Sequence, residues 1–298
     1  MSTDEGTTSI SDTNGVLLFY SNGETVYNAN HQVMQNGNNL HGGYSSSQSC
    51  IGVPQPGSSN IWYLFTVDQT SGAWGGQYSI IDMALQGGLG EVTSKNNPLS
   101  APLEEKISAC IQSNGVDFWI LYHGFNTNKF YAFPLTSAGV GNVVISTTGP
   151  VNYSASSFVG CMKFSPDGSR LAMATYDMFT VEIFDFDKAT GILAHAFTIP
   201  MPFGFYSYGL EWTRDSKLLY MGNVDFIPSE IYQADMSLGS SSAIIASLTL
   251  IHSGNDILGT LQMAPDGKIY VVRYSEYFLG VINNPDSCLL YTSDAADE

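Results

Sequence analysis

Positive charge is scarce in this chain of 298 residues: Lys and Arg number 10 against 27 Asp and Glu, giving a formal net charge of −17. Charged residues make up 12% of the chain, about half the share of roughly 25% usual in globular proteins. Phosphate recognition requires clustered Lys and Arg, so nucleic acid and anionic membrane surfaces are excluded as partners. No apolar run approaches the length of about 18 residues that a membrane-spanning helix requires, and we expect no membrane insertion.

Motifs for catalysis and metal binding are also missing. There is no Gly-x-Ser-x-Gly elbow, no Walker loop and no Gly-x-Gly-x-x-Gly after a strand. The histidines lack the short spacing of a zinc site; they are His31, His41, His123, His195 and His252. Asp12-x-Asn14 and Asp185-x-Asp187 offer oxygen ligands for calcium, but neither continues into a full calcium loop, and such residues are common in turns. The sequence predicts no catalytic residue, metal or cofactor.

Turns and apolar strands recur along the whole chain, which is 44% apolar and contains 30 glycines. Asn-Gly and Asp-Gly between apolar strands are strong hairpin signals, because they supply the positive φ that a tight turn needs. The turns lie 42 to 58 residues apart, at Asp12–Gly15, Pro56–Gly57, Asn114–Gly115, Asp167–Gly168, Asp215–Ser216 and Asp266–Gly267. A repeat of this length without helical periodicity predicts an all-β chain, a β-propeller of four-stranded antiparallel blades. We count six blades and expect the ring to be incompletely closed; an immunoglobulin-like array, with about 100 residues per repeat, is the weaker alternative.

The repeats resemble known propellers. Phe164-Ser-Pro-Asp-Gly-Ser-Arg-Leu-Ala172 is similar to the blade motif of lactonase-like propellers, a YVTN- or WD40-like repeat. Ser11-Asp-Thr-Asn-Gly-Val-Leu-Leu-Phe-Tyr20 and Gln262-Met-Ala-Pro-Asp-Gly-Lys-Ile-Tyr270 resemble the propeller of surface proteins with a gliding-motility-associated, type IX secretion sorting domain. The resemblance implies a secreted or surface-attached monomer of about seven blades within a longer multidomain chain. It implies no catalytic residues.

The two ends of the chain are expected to be unnatural. Residues 288–298 resemble a translated sequencing adapter and are interpreted as a non-native tail, whereas residues 1–287 should form one propeller domain truncated at both ends. Without the tail the chain contains three cysteines, Cys50, Cys110 and Cys161, on the first strands of separate blades. An odd count argues against a disulfide framework, although neighbouring first strands could just permit one pair. Packed thiols are the favoured interpretation.

One face of the predicted propeller collects aromatic residues. Loops between the second and third strands of a blade share a face with the connections between blades. Aromatic rings beside carboxylates or amides can bind a glycan or a protein loop, and the predicted binding residues are Trp74, Phe125, Asn126, Tyr176, Asp177, Asp225, Phe226, Tyr274 and Glu276. Blade connections add Tyr44, Tyr153, Phe203, Phe205, Tyr206 and Tyr208. These rings could instead wedge between blades as core.

Two functions are therefore carried forward. The first is a non-enzymatic extracellular binding or scaffold propeller that contacts a glycan or protein through its aromatic face. The second is an extracytoplasmic lactonase-like hydrolase or lyase acting at the central channel. A phosphorylated sugar substrate would require Arg or Lys at the channel, whereas Arg170 and Arg214 lie in turns on the opposite face. The sequence favours the first function.

Overall fold

A computed structural model describes residues 1–286, apart from Ser2, residues 70–71 and residues 152–155. The segment expected to be adapter-derived lies outside the described residues. Contacts group the chain into two compact units, the first comprising Met1–Asn152 with Asp187–Ile192 and the second Tyr153–Phe186 with Leu193–Glu298. None of the helices in the described part is long and apolar enough to cross a membrane.

The first unit contains three antiparallel sheets. The first sheet has the order β1-β2-β3, the second β4-β5-β6-β7, and the third β11-β10-β9-β8, with β12 also pairing with β10. The strands are β1 (Thr8–Ser11), β2 (Leu17–Ser21), β3 (Val26–Asn28), β4 (Cys50–Pro54), β5 (Ile61–Val67), β6 (Gly76–Asp82), β7 (Glu91–Ser100), β8 (Leu103–Ile111), β9 (Phe118–Gly124), β10 (Lys129–Thr136), β11 (Gly139–Val140) and β12 (Val144–Thr147). A short 3₁₀ helix covers Gln86–Gly88.

The second unit also contains three antiparallel sheets, each with its strands in chain order. Their orders are β13-β14-β15-β16, β17-β18-β19-β20 and β21-β22-β23. The strands are β13 (Met162–Phe164), β14 (Arg170–Thr175), β15 (Thr180–Asp187), β16 (Ile192–Pro200), β17 (Ser207–Trp212), β18 (Leu218–Asn223), β19 (Ser229–Asp235), β20 (Thr249–Gly254), β21 (Leu258–Met263), β22 (Ile269–Arg273) and β23 (Gly280–Ile282). The helices are a 3₁₀ turn at Tyr176–Met178 and α1 at Ser241–Ala246.

The predicted repeats are confirmed as six sheets with blade topology. Each of the six turns found in the sequence joins the first strand of a sheet to its second. Three sheets have four strands, one has five, and the first and last have three. The turns use the predicted chemistry: Gly168 has φ 71, and Asp167 Oδ1 accepts hydrogen bonds from the amide and hydroxyl of Ser169 at 2.9 Å.

Two of the three carboxylates considered as calcium ligands, those of Asp12 and Asp187, bond to their own turns. Asp12 Oδ1 accepts from the amides of Asn14 and Val16 at 2.8 and 2.9 Å. Asp187 accepts from the amide of Ala189 and the hydroxyl of Thr190. These contacts agree with the turn interpretation of Asp12 and Asp187, whereas Asp185 lies in β15 with its Oδ1 3.9 Å from Arg170 Nε.

Sheets within a unit pack face to face through their central strands. In β9 and β14 nearly every residue is buried. Because successive residues of a strand point to opposite faces of the sheet, both faces of these strands are covered. Phe65, Leu103 and Tyr122 belong to one core cluster of the first unit, and Ala172, Trp212 and Met221 to one of the second. Cys50, Cys110 and Cys161 are free thiols, and burial raises the pKa of Cys50 and of Cys110 to about 12.

A buried ion cluster lies in the third sheet of the first unit. Lys106 Nζ and His123 Nδ1 lie 2.7 and 2.9 Å from Glu104 Oε2, and the three side chains are at most 1% exposed. Burial by itself would raise the pKa of Glu104, but the charges and hydrogen bonds of His123 and Lys106 lower it to about 2. The buried Glu104 carboxylate is tolerated because Lys106 and His123, which compensate its charge, are buried beside it.

Replacement of Glu104 by Gln should show how much the stability of the protein depends on this buried ion cluster. The substitution removes the negative charge that Glu104 places beside the buried Lys106, and we expect a loss of about 3 kcal/mol at neutral pH. Because the Glu104 pKa is depressed by folding, its stabilising contribution is present above the unfolded value of roughly 4.3. That contribution is lost as the pH falls towards about 2. Urea unfolding at a series of pH values should therefore show wild type and variant converging over this interval.

Asp4→Asn is the matched control, because it removes a carboxylate that is exposed. Its unfolding free energy should follow that of the wild type at each pH. A constant difference between wild type and Glu104→Gln down to pH 2 would contradict the assignment.

Candidate functional site

The second unit carries a cluster of aromatic side chains on three neighbouring segments. Tyr176 and Phe179 come from the β14–β15 loop, Phe203 and Tyr206 from the β16–β17 connection, and Phe226 from the β18–β19 loop. We call these five residues the aromatic cluster. Loops between second and third strands thus meet a connection between sheets, as expected from blade topology.

Tyr206 lies at the centre of the cluster. Its ring stacks on Phe226 with centroids 4.4 Å apart and an interplanar angle of 13°. Tyr176 and Phe179 contact the Tyr206 ring at centroid distances of 4.9 and 5.1 Å, and Phe203 contacts Phe179 at 5.3 Å. Tilted and edge-on ring pairs at these separations are favourable beyond their burial, so the ring contacts themselves stabilise this arrangement of the cluster.

Carboxylates border the cluster. The Tyr176 hydroxyl donates to Asp225 Oδ2 at 2.8 Å, and burial together with this hydrogen bond raises the pKa of Tyr176. Asp177 Oδ2 accepts from the Ser156 amide at 3.1 Å. Phe179 and Asp225 both have left-handed backbone, with φ 55 and 62. Such geometry is unusual for a bulky residue such as Phe and is concentrated in functional loops.

The cluster presents apolar surface to solvent. The exposed fraction of Phe203 is 96% and that of Phe226 46%, and the adjacent Ile227 and Met178 are 60% and 40% exposed. An aromatic surface that is preorganised, apolar and bordered by carboxylates can bind a ligand that combines apolar groups with positive charge.

The first unit holds another candidate site around Trp74, on the β5–β6 loop. The Trp74 ring stacks on His41, with centroids 3.9 Å apart and an interplanar angle of 22°. The Trp74 amide donates to Asp68 Oδ2 at 3.2 Å, which ties the backbone of Trp74 to the Asp68 side chain. Phe125 and Asn126 lie on the β9–β10 loop of the same unit, where the Phe125 amide donates to the Pro102 carbonyl at 3.2 Å and Asn126 has φ 52.

The structure thus brings together Tyr176, Asp225 and Phe226 of the predicted binding residues, with Asp177 beside them. Tyr274 and Glu276 are exposed on the β22–β23 loop, and their role in binding stays a prediction. The blade-connection residues behave differently from one another. Phe205 and Tyr208 are buried in the core, as in the alternative that these rings wedge between blades, whereas Tyr44 is exposed and Tyr153 lies outside the described residues.

Sequence reasoning missed His41 and Phe179 as site residues. His41 lies in the long β3–β4 segment, about thirty positions from Trp74 in the chain, and no spacing signal links the two. Phe179 lies at the end of the β14–β15 loop. A phenylalanine seldom adopts left-handed backbone, so the sequence did not predict the conformation that turns its ring into the cluster.

The first strands of the second unit carry a cation that is fully committed to structural contacts. Lys163 Nζ contacts Glu211 Oε2 at 2.5 Å, the Leu261 carbonyl at 2.9 Å and Gln262 Oε1 at 3.2 Å. A lysine ammonium has three N–H donors, and all three are used here. Arg170 and Arg214 likewise donate to the carbonyls of Met236 and Ala264, so these cations connect neighbouring sheets.

The three-dimensional structure of this chain is similar to several solved structures. A Bacteroides uniformis protein proposed to be a 6-phosphogluconolactonase matches with a TM-score of 0.57 and 13% identity, covering 92% of this chain and 79% of that one. Hydrazine synthase of Kuenenia stuttgartiensis matches with a TM-score of 0.58 and 16% identity, over 92% and 82% of the two chains. The periplasmic gluconolactonase of Pseudomonas aeruginosa matches with a TM-score of 0.51 and 13% identity, over 86% and 73%.

The chain has the β-propeller fold. At these identities the likeness concerns the fold alone, and the names of the matched proteins differ in activity, so the fold does not decide the chemistry. No protein-family model matches the chain, and no curated protein matches it in sequence.

The hydrogen bond between Tyr176 and Asp225 should contribute measurably to the stability of this propeller. We expect Tyr176→Phe and Asp225→Asn each to lower the free energy of unfolding, and the double variant to lose less than the sum of the two. A coupling of about 1 kcal/mol is expected for a partly exposed hydrogen bond to a carboxylate. Denaturant unfolding of the four proteins measures it, and strictly additive losses would show that the bond contributes nothing.

Proposed function

We propose that this propeller is a non-enzymatic binding protein whose aromatic cluster docks a segment of a partner protein. The observation that carries the proposal is the preformed, solvent-exposed packing of rings around Tyr206. Binding hot spots are enriched in aromatic residues that are rigid and surrounded by polar groups. The cluster has that composition.

The chemistry of the cluster favours a protein segment over a glycan. Phe203, Ile227 and Met178 expose apolar side chains, which suit the aliphatic or aromatic side chains of a partner segment. The carboxylates of Asp177 and Asp225, in a chain of net charge −17, suit Lys or Arg beside those apolar groups. The partner segment is therefore basic and apolar.

The location that fits this role is outside the cytoplasm. A matched structure is a periplasmic protein by its name, and the sequence resembles surface propellers of proteins with a type IX secretion sorting domain. Attachment to a cell surface, and membership of a longer chain that also has further domains, belong to the same proposal.

A displayed peptide library selected on the full chain tests the proposal. We expect enriched peptides that contain Lys or Arg next to aromatic or aliphatic residues. Their affinity should fall by about 2 kcal/mol, or roughly thirtyfold, with Phe226→Ala, and should weaken with salt. Isothermal titration of a synthetic peptide measures both effects, and Val16→Ala, which trims an exposed apolar residue in the β1–β2 turn, is the matched control.

A glycan array on the same protein tests whether the ligand of the aromatic cluster is a glycan and not a protein segment. Glycan binding that is lost with Phe226→Ala, together with no enriched peptide, would replace the protein partner by a glycan. Peptides that bind wild type and Phe226→Ala equally well would remove the aromatic cluster as the docking site.

A lactonase-like hydrolase is the second candidate, because two of the matched structures carry lactonase names. The polar groups best placed for such chemistry in the second unit are Lys163 and Glu211 on first strands. Their contacts argue for a structural role, since every donor of Lys163 has a partner and Glu211 Oε2 also accepts from the Met263 amide at 2.7 Å.

Hydrolysis of glucono-1,5-lactone and of its 6-phosphate decides between the two candidates. We expect the rate with the full chain to equal spontaneous hydrolysis, measured as acid release in a pH-stat. A rate above the spontaneous one that is abolished by Glu211→Gln, but retained by Asp4→Asn, would establish the hydrolase in place of the binding protein.

A further inference from the structure

A cleft of about 390 Å³ lies beside Trp74 in the first unit. It is lined by two aromatic rings, two amide side chains, a hydroxyl and small apolar residues; these are His41, Ala73, Trp74, Gln77, Asn96, Pro98, Leu99, Ser100 and Ala101. More than half of the Trp74 side chain stays exposed although His41 stacks on the ring. The cleft therefore offers an aromatic surface next to an apolar wall.

Among the residues that the structure describes, the lining contains no carboxylate, lysine or arginine. This is notable in a chain with 27 acidic residues. A charged ligand would be desolvated in the cleft without a compensating partner, so the ligand that fits is neutral. Its polar groups must suit amide, hydroxyl and imidazole partners.

Hydrogen bonds fix the proton on the His41 ring. Gln77 Nε2 donates to the Trp74 carbonyl at 3.3 Å, and a carbonyl can only accept, so the amide orientation of Gln77 is set. Gln77 Oε1 then faces His41 Nδ1 at 3.1 Å, which must donate. In the neutral imidazole one nitrogen carries the proton and the other is an acceptor, and Nε2 is therefore the acceptor.

The position of His41 is also fixed through its backbone. The His41 amide donates to Asn96 Oδ1 at 3.1 Å, and Asn96 Nδ2 donates to the Asn39 carbonyl at 2.9 Å. Both ends of the Asn96 amide are thereby engaged. The ring that supplies the Nε2 acceptor is held on the Trp74 face before any ligand arrives, and such preorganisation lowers the cost of binding.

We propose that this cleft binds a neutral saccharide. A pyranose ring lies at the edge of the stacked pair, where its C–H groups pack on the part of Trp74 that His41 leaves uncovered, with Pro98 and Leu99 as the apolar wall, and one sugar hydroxyl donates to His41 Nε2. A sugar combines an apolar face with hydroxyl donors and carries no charge, which matches each property of the lining. The site is separate from the aromatic cluster and does not depend on the partner proposed there.

Fluorine NMR on the full chain labelled with 5-fluorotryptophan tests the site directly. The chain has four tryptophans, of which Trp119 and Trp212 are buried, and Trp74→Phe identifies the Trp74 resonance. Glucose, galactose, mannose, maltose and cellobiose are titrated to tens of millimolar. We expect a saturable shift of the Trp74 resonance with at least one of them, while the resonances of the buried tryptophans stay in place and report an intact fold.

His41→Phe is the informative variant, because it keeps a ring stacked on Trp74 and removes the nitrogen acceptor. We expect its affinity for the responding saccharide to fall roughly tenfold, as for a lost hydrogen bond of ordinary strength. Glucuronate should bind more weakly than glucose. Val116→Ala, in the exposed β8–β9 turn of the same unit, should bind like the wild type.

Three results would overturn the proposal: no saturable shift of Trp74 with any of the sugars, equal affinity in His41→Phe and wild type, or glucuronate binding at least as tightly as glucose. Calorimetric sugar binding without a Trp74 shift would also overturn it, because the sugar would then bind elsewhere. None of these outcomes bears on peptide binding at the aromatic cluster, which is measured with Phe226→Ala.

Discussion

Burial on both faces of the central strands is the constraint on which the fold depends. In β9 the run Trp119, Ile120, Leu121 and Tyr122 is buried at every position, so a single sheet would expose a large apolar surface on whichever side was left uncovered. A sheet built on such a strand must therefore be covered on both of its faces. The loops at the ends of the strands do not need to be covered in this way. The aromatic residues Tyr176, Trp74 and Phe226 lie in these loops.

Much of the fold could be read from the sequence because tight turns have residue requirements that are independent of distant contacts. Asp-Gly and Asn-Gly marked the first turn of blades, and the apolar runs beyond them were long enough to identify second strands. Strand counts were less accessible. The three-stranded first sheet and the five-stranded third sheet differ from the predicted four strands, since outer strands such as β11 and β12 are short and lack a strong apolar pattern.

The candidate site could be predicted only in part. Blade topology was sufficient to place Tyr176, Asp225 and Phe226 at one end of the strands, and the structure joins them through Tyr206. Topology could not distinguish Phe203, which is exposed, from Phe205, which is buried two positions later, because the direction of each ring depends on the turn between them. The Trp74–His41 stack was equally hidden, as it joins two loops that have no common pattern.

The contacts of Lys163 have a consequence for how the second unit comes apart. One ammonium group links strands β13, β17 and β21, which together span about a hundred positions of the chain. Separation of any one of these sheets would break at least one of the contacts of this partly buried cation. Partial opening of a single sheet is therefore disfavoured, and we expect the three sheets to exchange their amide hydrogens as one cooperative block.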